Sequence, residues 1–215
     1  MSRTAIDTAI LPLPLVGEGR VANLRADRRR VEAFLERQFG AAHGPAISRA
    51  MAYAVLGDGQ RIRPILALRV ARMLGAESEH TVRAAAAVEI LHCASLIVDD
   101  LPCMDNELMR RGKATTHIEF GEATATLAAF SLVAMAARLA VEAPANEREC
   151  LQLRRFQLSL LRTLDVGSLV GGQMLDLELS GGERERQRQM MNDLKTVPLF
   201  QLAVEAGCVS LPGGV

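Results

Sequence analysis

The 215-residue sequence predicts an all-α fold, a bundle of long helices around one core. Three observations carry this. Apolar residues make up 49% of the chain and aromatics only 3%, so the core is assembled from Ala, Leu, Val, Ile and Met, a mixture that favours helices. No segment alternates apolar and polar residues between turn signals, as a half-buried strand would. The apolar segments are long, and most end at glycine.

Taken in order, residues 1–26, with LPLPLVGEG at 11–19, carry Pro and Gly without periodicity and read as an irregular lead-in to one domain at 27–215. VEAFLERQF (31–39) predicts a helix stopped by Gly40. PAISRAMAYAVLG (45–57) predicts a second, closed by a GDG turn. PILALRVARMLG (64–75) opens with Pro and closes with Gly, the usual asymmetry of helix ends. EHTVRAAAAVEILHCASLIVD (79–99) is almost continuously apolar and predicts a central helix buried on most sides. Another helix runs from about Glu122 to Val141, and a further one from about Glu147 to GGQMLDLEL (171–179), before a polar loop SGGERER (180–186).

Composition narrows the function. Lys+Arg and Asp+Glu balance at 25 each, so no global field recruits nucleic acid or an anionic membrane. The most apolar stretch, ATLAAFSLVAMAA (125–137), is shorter than the roughly 20 residues a bilayer span needs and predicts a core helix, not a membrane span. Cys93, Cys103, Cys150 and Cys208 lack CxxC or zinc-ligand spacing, and no export signal precedes them, which predicts reduced thiols in a cytoplasmic protein.

Local charge is another matter. LIVDDLPCMDNELMRRGKATTH (96–117) sets Asp99, Asp100 and Asp105 after an apolar run, with Arg110, Arg111 and Gly112 close behind. On a continuous helix Asp99 and Asp105 would diverge by about 240°. Pro102 breaks the helix and lets the segment swing Asp105 back. Convergent carboxylates suit Mg²⁺, a hard cation with oxygen ligands, and guanidinium forks suit phosphate oxygens. GDGQRIRP (57–64) places Arg61 and Arg63 in a Gly-rich turn at a helix start, a natural anion site. His92 lies seven residues before Asp99, two helical turns away on the same face. Gln173 and Asp176 are a polar pair in an apolar stretch, and Lys195 and Thr196 sit in NDLKTVPLF.

Together these elements resemble the trans-isoprenyl diphosphate synthase family. DDLPCMD with RRGKATTH resembles its first aspartate-rich motif and RRGxPTxH, GDGQRIRP its GGKRxRP, and EILHCASLIVDD its histidine-bearing helix; GGQMLDL and LKT match two more. The resemblance is strongest to bacterial geranylgeranyl diphosphate synthases. It implies helices around a central apolar cavity, and a Mg²⁺-dependent condensation of isopentenyl diphosphate with an allylic diphosphate in a homodimer. By resemblance, Asp99, Asp100 and Asp105 hold Mg²⁺ on the allylic diphosphate, and Arg110 binds that diphosphate. Gln60, Arg61, His92 and Arg111 bind isopentenyl diphosphate. Lys195, Thr196 and Gln173 face the allylic diphosphate. Chain length is set five positions before the first aspartate, where Tyr or Phe gives C15; Ala94, with Ser95 beside it, implies C20.

Gln60 stands where the family has lysine, and Ala114 where it has proline. The family's second motif, DDxxD, is not found in these 215 residues, so a C-terminally incomplete synthase is expected. A non-catalytic partner subunit of a complete synthase and a class I terpene cyclase are the alternatives.

Overall fold

The computed structural model describes residues 18–40, 44–178 and 185–211. Among them the order is α1 (Glu18–Phe39), α2 (Ala46–Val55), α3 (Ile62–Met73), α4 (Glu79–Asp99), β1 (Met109–Arg110), β2 (Lys113–Ala114), α5 (Thr116–Phe120), α6 (Glu122–Leu139), α7 (Glu147–Arg162), α8 (Leu169–Glu178) and α9 (Glu185–Cys208). The all-α expectation holds.

Helix α4 is the axis, with α1, α2, α3, α6 and α9 packed round it. Its start is fixed by a capping box, in which the Ser78 and Thr81 side chains exchange bonds with each other's backbone N–H. The alanine run Ala84–Ala87 is fully buried and lets neighbouring helices approach closely. By length and composition α4 and α6 could each cross a bilayer, so the stretch at 125–137, within α6, is not too short on that count; 78% of the apolar part of α4 is buried inside the bundle, as in a core helix, against 33% for α6.

Several boundaries differ from expectation. α1 starts at Glu18, inside the supposed irregular lead-in, while residues 1–17 lie outside the described residues. Its first half, EGRVANLRADRRR, has helix-forming residues but no apolar stripe for a periodicity reading to find. Asp27 explains how so polar a helix docks: 2% exposed, it pairs with Arg72 at 2.7 Å and Arg69 at 2.6 Å on α3. α3 itself begins at Ile62, so Pro64 sits within its first turn, where a missing N–H costs nothing.

The long helix expected from Glu147 is two. After Arg162 the chain closes tighter turns, Leu164 N–H to Leu161 O, Asp165 to Arg162 and Ser168 to Asp165, before α8 restarts. Of the expected loop at 180–186, residues 180–184 lie outside the described ones, and Glu185 and Arg186 already belong to α9. α9 continues through Pro198 and buries Leu199, Leu202, Ala203 and Ala206. A Cβ on Gly172 would lie 2.7 Å from Leu194 Cβ and 2.9 Å from the Lys195 backbone N, so that glycine sets how closely α8 meets α9.

Candidate active site

Asp99 and Asp100 close α4, and the chain then folds back on itself. Met104 N–H bonds Leu101 O at 2.8 Å, and Asp105 N–H bonds the Asp99 carbonyl at 3.0 Å. This is the return that Pro102 predicts. Burial, followed by the charge of Asp99, pushes the Asp105 carboxyl above the usual carboxylate range. Asp100 is 4% exposed and accepts from Arg110 Nε at 2.8 Å and Nη2 at 2.6 Å. Asp99 accepts from Gln173 on α8 and, at 3.3 Å, from Lys195 Nζ on α9. The same ammonium donates to Asp176 at 2.5 Å. Burial works against the charge on Lys195, but the bond to Asp176 and the charge of Asp99 outweigh it and raise its pKa.

Among the described residues no three His, Cys, Asp or Glu side chains already form a metal cage. The donors present still fit Mg²⁺. Asp99, Asp105 and Asp176 offer hard carboxylate oxygens, and the Lys195 ammonium, paired with Asp99 and Asp176, offsets only part of their negative charge. Asp100 has its carboxylate committed to Arg110 in this arrangement.

The second half of the site hangs on a hairpin the sequence did not predict. β1 and β2 pair Met109 with Ala114 and Arg110 with Lys113, and the turn residues Arg111 (φ 52°) and Gly112 (φ 77°) are both left-handed. A two-residue hairpin turn of this hand requires that conformation at both central positions, and Gly112 supplies one of them without strain. The turn separates two consecutive arginines. Arg110 goes to the aspartates, while Arg111 lines a cleft of about 400 Å³ with Asp58, Gln60, Arg61, Arg63 and His92.

Glu89 lines the cleft too, so its three arginines, set against two carboxylates, leave a net positive charge. Burial, then the charges of Arg63, Arg111, Arg110 and Arg61, pull the His92 pKa down to about 3, so its ring is neutral at physiological pH. Its Nδ1 is buried with no hydrogen-bond partner. Arg63 forms no salt bridge among the described residues and lies 4.8 Å over the Phe200 ring. Arg61 is different: only 4% exposed, it donates to Glu89 at 2.7 Å and to the Val55 and Gly57 carbonyls at 2.8 Å each.

The structure thus brings together Asp99, Asp105, Gln173 and Lys195 around one pole, and Gln60, Arg61, His92 and Arg111 around the other. Thr196 follows Lys195 on α9 and is exposed. Ala94 is 2% exposed in the core, and half-buried Ser95 donates to the His92 carbonyl at 2.8 Å. Sequence reasoning placed Arg63 with Arg61 in an anion-binding turn and singled out Asp176 only as the polar partner of Gln173, and it gave no role to Glu89. The signal for a role of Asp176 was faint, since it only follows Gln173 by about one helical turn.

Residues 44–212 match the family described as polyprenyl synthetase. The chain is 43% identical over 138 residues to geranylgeranyl pyrophosphate synthase 4 of Arabidopsis thaliana, an alignment covering 64% of this chain and 36% of that protein. It is 36% identical over 196 residues to a farnesyl diphosphate synthase of Haemophilus influenzae, covering 88% of this chain and 64% of the relative. Among solved structures, a geranyltransferase from Legionella pneumophila superposes with a TM-score of 0.80 at 31% identity, covering 91% of this chain and 70% of that one. The chain therefore spans 36 to 64% of the length of these two curated relatives.

Proposed function

We propose a reaction from an established premise: this chain belongs to the polyprenyl synthetase family. The reaction is the condensation of isopentenyl diphosphate with an allylic diphosphate, farnesyl or shorter, to give geranylgeranyl diphosphate. One observation supports it above the others. A single helix, α4, carries His92 at a basic cleft and Asp99 at an acidic cluster, so two diphosphates can lie side by side.

Asp99 and Asp105, with Asp176, would hold Mg²⁺, which when bound draws charge from the leaving diphosphate. Arg110, Lys195 and Gln173 orient the allylic diphosphate, with Thr196 beside them. Arg63, Arg111 and Gln60 bind isopentenyl diphosphate, and the neutral His92 ring donates an N–H without adding charge. The allylic C–O bond breaks, the double bond of isopentenyl diphosphate forms the new C–C bond at that carbon, and a proton leaves to the departing diphosphate. Low aromatic content and the buried alanines suit an apolar cavity that keeps water from the cation. Ala94 and Ser95 add no bulk near Asp99, which supports C20 over C15. The four free thiols fit a cytoplasmic setting. Exposed Phe130 and Leu127 on α6 suit burial against a second copy of this chain.

The test is turnover of radiolabelled isopentenyl diphosphate with farnesyl diphosphate and Mg²⁺, with chain length read by chromatography. A C20 product that disappears in the Asp99→Ala, Asp100→Ala variant is expected. Absence of product from this chain, with a shifted product once it is added to a complete synthase, would replace the reading with a partner subunit.

A further inference from the structure

Arg61 and Glu89 form a buried ion pair, their side chains 3% and 4% exposed, 2.7 Å apart. Burying two charges is costly unless their remaining hydrogen-bonding capacity is met. Here the guanidinium also ties down the Val55 and Gly57 carbonyls, so it grips the end of α2 and the turn that follows. Arg61 itself is held at φ 55°, an uncommon backbone for a residue with a side chain. With Nη1 and Nη2 turned inward and Nε buried without a partner, it has little left to offer a ligand.

Gly59 supplies the second observation. A Cβ there would lie 2.7 Å from Arg61 Nη1 and 3.0 Å from Arg111 Nη1, so two guanidinium ends meet over a bare backbone. Arg61 cannot move, being pinned on three sides. Arg111 is exposed and can.

We infer that Glu89 and Gly59 are positioning residues for the diphosphate cleft: Glu89 fixes Arg61 as an internal strut, and Gly59 lets the hairpin's Arg111 close over it. The bound anion then meets Arg63 and Arg111, while Arg61 contributes charge from behind without contact. The inference rests on reading the cleft as a diphosphate site.

Inorganic pyrophosphate, titrated by calorimetry without metal and with EDTA, probes the cleft apart from the acidic cluster. The wild-type chain binds it. Gly59→Ala lowers Tm, because its Cβ meets the pinned Arg61 at 2.7 Å, and, measured below that Tm with the helical circular dichroism intact, binds at least tenfold more weakly. Glu89→Gln lowers Tm and, measured below that Tm with the helical circular dichroism intact, also loses at least tenfold. Arg63→Gln loses affinity with Tm unchanged. If Gly59→Ala binds like wild type, or folded Glu89→Gln does, the pair is only core filling and the inference falls. It also falls if the wild-type chain binds no pyrophosphate. Pyrophosphate binding without turnover would sink the proposed reaction and leave the positioning role standing. Should either Gly59→Ala or Glu89→Gln fail to fold, the other decides.

Discussion

Arg110 grips Asp100 through two nitrogens, Nε at 2.8 Å and Nη2 at 2.6 Å from the same carboxylate oxygen. The pair ties the hairpin to the C-terminal end of α4. Asp100→Ala removes the main partner of a half-buried guanidinium and is expected to cost about 2 kcal/mol. Chemical denaturation of both single variants and the double Asp100→Ala, Arg110→Ala gives the coupling, expected at about 1 kcal/mol. Strict additivity would mean that the bond contributes nothing to the fold.

His92 makes stability depend on pH. Its folded pKa, about 3, lies below its ordinary value of 6.5, so the unfolded chain takes up a proton first as pH falls. The contribution is therefore complete above pH 6.5 and is lost between 6.5 and 3, at up to about 1.4 kcal/mol per pH unit. Denaturation midpoints at pH 7, 6 and 5 should fall for the wild-type chain and flatten in His92→Gln. Equal slopes in the two would rule out a buried neutral imidazole.

Gln60 lines the basic cleft as a neutral donor. Gln60→Lys adds a charge-assisted bond and is expected to lower the KM for isopentenyl diphosphate roughly fivefold, with a steeper salt dependence. A KM that rises, or does not move, would show that this position does not face the diphosphate.

Ala94 is 2% exposed, five residues before Asp99. Ala94→Phe fills the volume that the last isoprene unit needs, so the product should shift from C20 to C15 on chromatography. Overpacking should also cost about 1–3 kcal/mol in the same variant. An unshortened product would place the chain-length floor elsewhere.

Gly172 leaves no room between α8 and α9. Gly172→Ala must push against the backbone of Leu194 and Lys195, at about 2 kcal/mol. Because it separates Lys195 from Asp99 and Asp176, activity should fall further than in a variant of equal Tm altered on the exposed face of α6. Loss of stability with full activity would show that the Lys195 bridge is dispensable.

What the sequence revealed follows from distance along the chain. The α4 core and the return of Asp105 were legible because an apolar run and a proline act on their immediate neighbours. The shared face of His92 and Asp99 was legible because helix geometry fixes it. The break between α7 and α8 was not, since TLDVGS contains no proline and apolar residues continue across it. The hairpin has strands of two residues, too short to show alternation. Most hidden was the character of Arg61. In its turn it looks like any surface arginine, and only Glu89, 28 residues away, makes it an interior one.

The left-handed turn at Arg111 and Gly112 has a metric consequence. Arg110 and Arg111 are joined by one peptide unit, so their Cα atoms stand about 3.8 Å apart whatever the surrounding helices do. The acidic and basic poles are thereby gauged against each other by the most rigid spacer a polypeptide has. An inserted residue between Arg110 and Arg111 would detune both poles at once, whereas one added at the exposed Glu107 would leave their separation unchanged.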